Sequence, residues 1–142
     1  DGSDVTVSLF ADGSAEPKYT VSVPGGTKDS SGQYTTTYDI PEVAPGTYTM
    51  QVSKKNHVTR EYTVTVSGDA VTQDAKIHLM GDINGDGRIS IGDINKANLH
   101  AKGKKILLGY ELACADVNGD GRVTISDINK LNLHNKGKSL LW

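Results

Sequence analysis

The chain writes one twelve-residue pattern twice: Asp-Ile-Asn-Gly-Asp-Gly-Arg-Ile-Ser-Ile-Gly-Asp at 82–93 and Asp-Val-Asn-Gly-Asp-Gly-Arg-Val-Thr-Ile-Ser-Asp at 116–127. At an offset of 34 the likeness runs past the loops, and residues 82–104 match 116–138 at 17 of 23 positions. The six differences are mild: Ile83/Val117, Ile89/Val123, Ser90/Thr124, Gly92/Ser126, Ala97/Leu131 and Ala101/Asn135. Two copies are too few for a solenoid, so a symmetric pair of units is the simpler reading. Behind each loop the apolar period is helical, with Ile94, Ala97 and Ala101 in one copy and Ile128, Leu131 and Asn135 in the other. Gly103 and Gly137 follow where a helix would end. A further short helix is expected around Leu108–Ala115.

The pattern D-x-N-x-D-G-x-[IV]-x-x-x-D has the spacing of an EF-hand calcium loop, with Asp in place of Glu at the last position. Calcium takes six to eight oxygen ligands, and this spacing wraps them about one point. In the first loop Asp82, Asn84 and Asp86 would give side-chain oxygens, Arg88 its backbone carbonyl, Ser90 a ligating water, and Asp93 a closing carboxylate. The second loop offers Asp116, Asn118, Asp120, Arg122, Thr124 and Asp127 in the same roles. Gly87 and Gly121 allow the sharp turn between them. Three carboxylates so placed repel one another unless a cation joins them. The duller reading, a solvated acidic turn, does not account for two matching copies. Magnesium fits less well, because it prefers a smaller shell and keeps several waters. Ile89 and Val123, at the eighth position, are expected to meet across a short two-stranded contact. The first loop follows a strand-like run with Gly81 directly before it, so no entering helix fits there. Loop plus following helix, twice over, favours calcium as a structural staple over a calcium switch. A domain of about 60 residues has a small core, and metal binding adds folding free energy.

Residues 5–79 read differently. Val5/Val7/Leu9, Tyr19/Val21/Val23, Tyr34/Thr36/Tyr38/Ile40, Tyr48/Met50/Val52, Tyr62/Val64/Val66 and Ala75/Ile77/Leu79 alternate with period 2. Turn sequences separate them: Asp12-Gly13-Ser14, Pro24-Gly25-Gly26, Ser31-Gly32, Pro45-Gly46 and Ser67-Gly68-Asp69. Six or seven short antiparallel strands at this spacing predict an all-β antiparallel sandwich, Ig-like or prealbumin-like. The expected organisation is therefore a β-sandwich at 1–79 and a small all-α domain with two calcium loop-helix units at 80–142.

Composition excludes several function classes. The net charge is −2, so no broad polyelectrolyte surface points to nucleic acid or an anionic membrane. No apolar run approaches the ~18 residues of a membrane helix. Residues 1–79 hold six Lys/Arg against ten Asp/Glu, and residues 80–142 hold nine against seven, six of those seven lying in the loops. One cysteine, Cys114, permits no internal disulfide and reads as a small buried side chain. The chain starts at Asp1 without Met or a signal segment, which suggests a piece of something longer. No nucleophile elbow, His-rich cluster or phosphate-cradling glycine loop is present, so an enzyme is not expected.

Two loop-helix units of this kind, with a short linker, resemble a dockerin. The likeness covers roughly Gly81–Trp142. It implies a calcium-dependent module, holding two Ca2+, that anchors its parent protein to a cohesin of a scaffold or cell-surface protein in a cellulosome or related complex. The resemblance also implies a secreted or cell-surface location in an anaerobic bacterium and a monomer when free. The preceding β half looks like the X module that accompanies some dockerins, or like carboxypeptidase-regulatory and Cna-B-like sandwiches, through Pro-Gly-Thr-Tyr-Thr-Met-Gln-Val-Ser-Lys-Lys-Asn-His at 45–57. Carried over, the partner face comprises Ile91, Gly92, Asn95, Asn98, Leu99 and Lys102, with counterparts Ile125, Ser126, Asn129, Asn132, Leu133 and Lys136. Many dockerins have Ser-Thr at the first two of these positions, so Ile-Gly and Ile-Ser imply a different cohesin specificity. Near-identical faces related by a pseudo-twofold would let the module dock in two orientations.

The residues support that face independently. Leu99 and Leu133 lie off the apolar stripe among Asn and Lys, and an apolar anchor ringed by polar groups suits a partner site. His100 and His134 read equally as partner contacts or as cations stabilising a helix C-terminus. Lys102, Lys104, Lys105, Lys136 and Lys138 read as a solvated helix end or as steering charges for an acidic partner. The resemblance places Trp142 against Met80–Ile83, clasping the ends of the module. Two other classes remain open: an EF-hand-type calcium sensor, and an accessory carbohydrate-binding module. The second is disfavoured because Tyr19, Tyr34, Tyr38, Tyr48 and Tyr62 fall on the core face by parity, leaving Phe10 outward.

Overall fold

Val7 and Leu9 in strand β1 (Val5–Ala11) meet Val52 and Met50 of β5 (Gly46–Lys54) on one side, and Val21 and Tyr19 of β2 (Tyr19–Val23) on the other. β6 (Arg60–Val66) then pairs with β5, setting Val64 opposite Tyr48. The result is a four-stranded antiparallel sheet in the order β2-β1-β5-β6. A computed structural model describes residues 3–142. Alternation works here as the sequence implies: Val7, Leu9, Tyr48, Met50, Val52 and Val64 form one buried cluster. A two-stranded ribbon, β3 (Thr27–Lys28) with β4 (Tyr34–Thr35), is separate from the sheet.

The other layer is mostly irregular chain. Tyr38, Ile40, Val43 and Ile77 pack half-buried against the sheet cluster without forming strands. Of the expected run Tyr34–Ile40 only Tyr34–Thr35 pairs. Pro41 and Pro45 bring no N–H to a ladder, and Glu42 turns to φ +58. The Tyr38 hydroxyl donates to the Gln73 carbonyl (2.5 Å), so a side chain ties this segment down. Of the expected strand Ala75–Leu79 only Leu79 pairs, in a single bridge, and β6 side chains take up the backbone of Lys76. Lys76 N–H donates to the Tyr62 hydroxyl (3.0 Å), and Arg60 Nη1 donates to the Lys76 carbonyl (2.9 Å). Tyr34, expected on the core face, is exposed with Lys54 Nζ 5.4 Å from its ring centre.

The chain divides into two units: one runs to Lys55 and from Thr59 to Ile77, the other comprises Asn56–Val58 and His78–Trp142. In the second unit Leu79 bridges to His57, flanked by bonds from Val58 N–H to the His78 carbonyl and from Met80 N–H to the Asn56 carbonyl (both 2.9 Å). Three helices follow: α1 (Ile91–Ala101), α2 (Gly109–Ala115) and α3 (Ile125–Asn135). Their core is Ile83, Ile94, Ala97, Leu107, Cys114, Ala115, Val123, Ile128 and Leu131. The stripe stops one turn earlier than expected, since Ala101 and Asn135 are exposed in the last turns. Ile89 and Val123 both reach this cluster, but no backbone hydrogen bond joins them among the described residues. No helix among those residues is long and apolar enough to cross a membrane.

Candidate functional site

Each loop is organised by its first and last carboxylates. Asp82 Oδ1 accepts the N–H groups of Gly85 (2.9 Å) and Asp86 (3.2 Å), and Oδ2 accepts that of Gly87 (2.9 Å). Asp93 accepts Asn84 N–H on Oδ1 (3.0 Å) and Ser90 N–H on Oδ2 (2.9 Å). Between them, Asn84 Oδ1 accepts from Asp86 N–H and Asp86 Oδ1 from Arg88 N–H (both 3.1 Å). The second loop repeats this network: Asp116 accepts from Gly119, Asp120 and Gly121, and Asp127 accepts from Asn118 and Thr124. Asn118 Oδ1 accepts from Asp120 N–H and Asp120 Oδ1 from Arg122 N–H. Asp93 and Asp127 are also the N3 residues of α1 and α3, accepting from the N-caps Ser90 and Thr124. One residue thus both closes the loop and starts the helix.

Carboxylate oxygens of Asp82, Asp86 and Asp93 lie within 4.8 Å of one another, as do those of Asp116, Asp120 and Asp127. Oxygens bound to one calcium at about 2.3–2.6 Å are at most about 5 Å apart, so each cluster fits that ion. The donors are all hard oxygens, the set calcium selects. Burial pushes the Asp82 carboxyl above the usual carboxylate range; the Gly87 N–H draws it down, and the charges of Asp93 and Asp86 push it up again. Burial is the larger cause, and the neighbouring carboxylates add to it. Arg88 and Arg122 side chains are exposed, leaving their carbonyls as the available donors. Ser90 and Thr124 stand at the N-caps, the Thr124 hydroxyl accepting from Ser126 N–H (3.3 Å).

The approach to the loops corrects one expectation. Loop one follows the Leu79 bridge, without a helix, but α2 ends at Ala115 directly before Asp116, so loop two has a seven-residue entering helix.

On the outward side, α1 carries Ile91, Asn95, Asn98 and Leu99 at helical spacing with Lys102 as its C-cap, and α3 carries Ile125, Asn129, Asn132 and Leu133 with Lys136 as its C-cap. Ile91 and Ile125 are 60% and 65% exposed, Leu99 and Leu133 37% and 41%. Gly92 and Ser126 sit in the first turns beside the loops, where Asn118 Nδ2 donates to Ser126 Oγ (3.4 Å). Each set of six lies with one helix, so the pattern forms two like faces.

His100 and His134 each carry a contact that the sequence reading did not include. His100 Nδ1 accepts Leu107 N–H (2.8 Å), and His134 Nδ1 accepts Leu141 N–H (3.1 Å). They are latches that hold the chain leaving each helix. The offset of 34 therefore continues to the last residue, pairing Ile106-Leu107-Leu108 with Leu140-Leu141-Trp142. Trp142 is placed by this latch and not as expected: its ring lies 4.9 Å from that of His134. Leu141 reaches Gly81 instead.

A protonated Nδ1 cannot accept Leu141 N–H, and burial holds the His134 imidazole below its ordinary value of 6.5. With the folded value depressed, stability is full above about pH 6.5 and falls as the pH drops below it, because the unfolded chain takes up the proton first. In saturating calcium, the melting temperature of the helical unit should fall between pH 7.5 and 5.5. His134→Asn, whose Oδ1 accepts without titrating, should shrink that fall; an identical pH profile would refute the latch.

Residues 80–134 match the family model for the dockerin type I domain. No curated protein sequence matches the chain. Two similar solved structures are type II cohesin–X-dockerin complexes from Acetivibrio cellulolyticus. The N-terminal interface mutant is 23% identical over 92% of this chain and 79% of that one, with a TM-score of 0.36. The C-terminal interface mutant is 21% identical over 92% and 80%, with a TM-score of 0.34. Overlap this slight does not establish a shared arrangement.

Proposed function

Taking residues 80–134 as the dockerin type I domain they match, we propose that the chain is a non-catalytic docking module that anchors its parent protein to a cohesin in a calcium-dependent way. In this reading each loop holds one Ca2+, two in all, and the ions set the helices that present the partner face. Domain 80–142 does the docking, and the β half at 1–79 is its companion X module. The parent is secreted or displayed at the cell surface of a bacterium that builds such complexes.

The observation that carries this is the repeated outward face. Metal ligation fixes the loops but places no demand on Asn95, Asn98, Leu99 and Lys102, which recur as Asn129, Asn132, Leu133 and Lys136. Leu99 and Leu133 are the apolar anchors of two copies, and either copy can meet the cohesin first. Leu99→Ala and Leu133→Ala should then each weaken binding only about twofold, the loss of one of two equal orientations. The double variant should lose on the order of thirtyfold or more, as for a buried hot spot. Titration of the three variants against a panel of cohesins, with and without calcium, tests this; full loss from one single change would exclude two-way docking.

The entering helix α2 gives loop two the helix-loop-helix form of a sensor. A sensor exposes apolar surface in an already folded protein when calcium arrives, which ANS fluorescence reads. The docking reading has calcium bury the Ile83 and Leu131 cluster, and so lower ANS fluorescence.

A further inference from the structure

The two loops carry the same donors in different surroundings. All ligand positions agree except Ser90/Thr124, so the charge count is equal. Asp82 and Asp93 are buried and Asp86 is half-buried; in loop two only Asp127 is buried, while Asp116 is half-buried and Asp120 exposed. The glycines Gly85 and Gly119 share a backbone conformation, φ +72 and +73. A Cβ on Gly85 would stand 2.5 Å from His78 Nε2, whereas one on Gly119 would meet nothing within 4 Å. The His78 ring therefore lies on loop one, and loop two has no such cover.

That ring is itself held. His78 N–H donates to the Tyr110 hydroxyl (2.8 Å), and the two rings meet edge-on at 5.0 Å. The Tyr110 hydroxyl donates in turn to the Val58 carbonyl (2.5 Å). Val58 N–H returns to the His78 carbonyl, and Asp82 N–H bonds the Leu79 carbonyl (both 2.9 Å), carrying the brace into the first ligand.

We propose that loop one is the tighter calcium site and fills first, and that loop two is the weaker site whose filling decides when the α3 copy of the face is set. The ordering rests on reading both loops as calcium sites. With ligand charge equal, affinity follows the rigidity of the site and the exclusion of water, since each Coulombic contact strengthens as water leaves. Outer groups that orient the donors add to it. At limiting calcium the module then presents one face, and two only at higher calcium.

Single-loop variants of the full chain separate the sites. Asp120→Ala leaves loop one, Asp86→Ala leaves loop two, and calorimetry with Ca2+ reads the affinity that remains. Asp120→Ala should bind on the order of tenfold more tightly than Asp86→Ala. Adding Tyr110→Phe should weaken Asp120→Ala several-fold and leave Asp86→Ala unchanged. Calcium binding by Asp120→Ala alone would also support the ordering. Equal or reversed affinities would overturn it while leaving both loops as calcium sites. Failure of the unaltered chain to bind Ca2+ would overturn the calcium reading itself.

Discussion

Excess EGTA is expected to abolish the helical signal of α1, α2 and α3 while the four-stranded sheet persists. Each loop brings three carboxylate groups within 4.8 Å. At an effective dielectric of about 20, two unit charges at that spacing repel by about 3 kcal/mol, less where Asp120 meets solvent. Backbone N–H groups offset part of this, but they serve mainly to fix the loop. Asp93 and Asp127 also start α1 and α3, so releasing the ions loosens both helix N-termini together. The apolar core left to hold the unit is nine residues, three of them Ala or Cys. A unit this small has little reserve, and a structural ion supplies folding free energy directly. The sheet cluster around Val7, Tyr48 and Met50 contains none of the ligands. Circular dichroism at 222 nm should collapse in EGTA and return with calcium, while amide signals of residues 5–11, 46–54 and 60–66 stay dispersed. An unchanged helical signal in calcium-free protein would refute the staple.

The loops were legible because ligation demands particular donors at particular positions, and the sequence writes those positions twice. The helix starts were legible for a related reason: Ser90 with Asp93, and Thr124 with Asp127, place a cap and an acid three residues apart. Strands were harder. Thr36–Ile40 and Ala75–Leu79 alternate as well as Val5–Leu9 does, but alternation reports a half-buried chain and not a paired one. Whether an edge accepts another strand depends on partners far along the sequence. Here Tyr62 and Arg60 answer the backbone of Lys76 with side chains. The latches of His100 and His134 were within reach, since the offset of 34 extends to Leu107 and Leu141. Reading the repeat only to 104 and 138 hid them. The brace on loop one left no such signal, because Val58, His78 and Tyr110 come together only in the fold.

Gly81→Ala is expected to destabilise the helical unit by about 2–5 kcal/mol. The residue is buried at φ +93, where an L side chain costs roughly 1–2 kcal/mol. Its N–H donates to the Cys114 carbonyl (2.9 Å), so the backbone has no freedom to turn away. An added Cβ would stand 2.8 Å from Leu131 Cδ2, 3.0 Å from Leu141 Cδ1 and 3.1 Å from Ile89 Cδ1. Leu131 is fully buried, and overpacking of that kind costs roughly 1–3 kcal/mol more. A unit of this size holds about 3–10 kcal/mol in total, so the change removes a large share of it. Gly103→Ala is the matched control: φ is +68 and nothing lies within 4 Å of the added methyl group, leaving the backbone term of about 1 kcal/mol alone. Urea unfolding of both variants in saturating calcium separates the terms. Equal midpoints for the two would mean that Leu131 and Leu141 yield freely, and that Gly81 is kept only for its backbone angle.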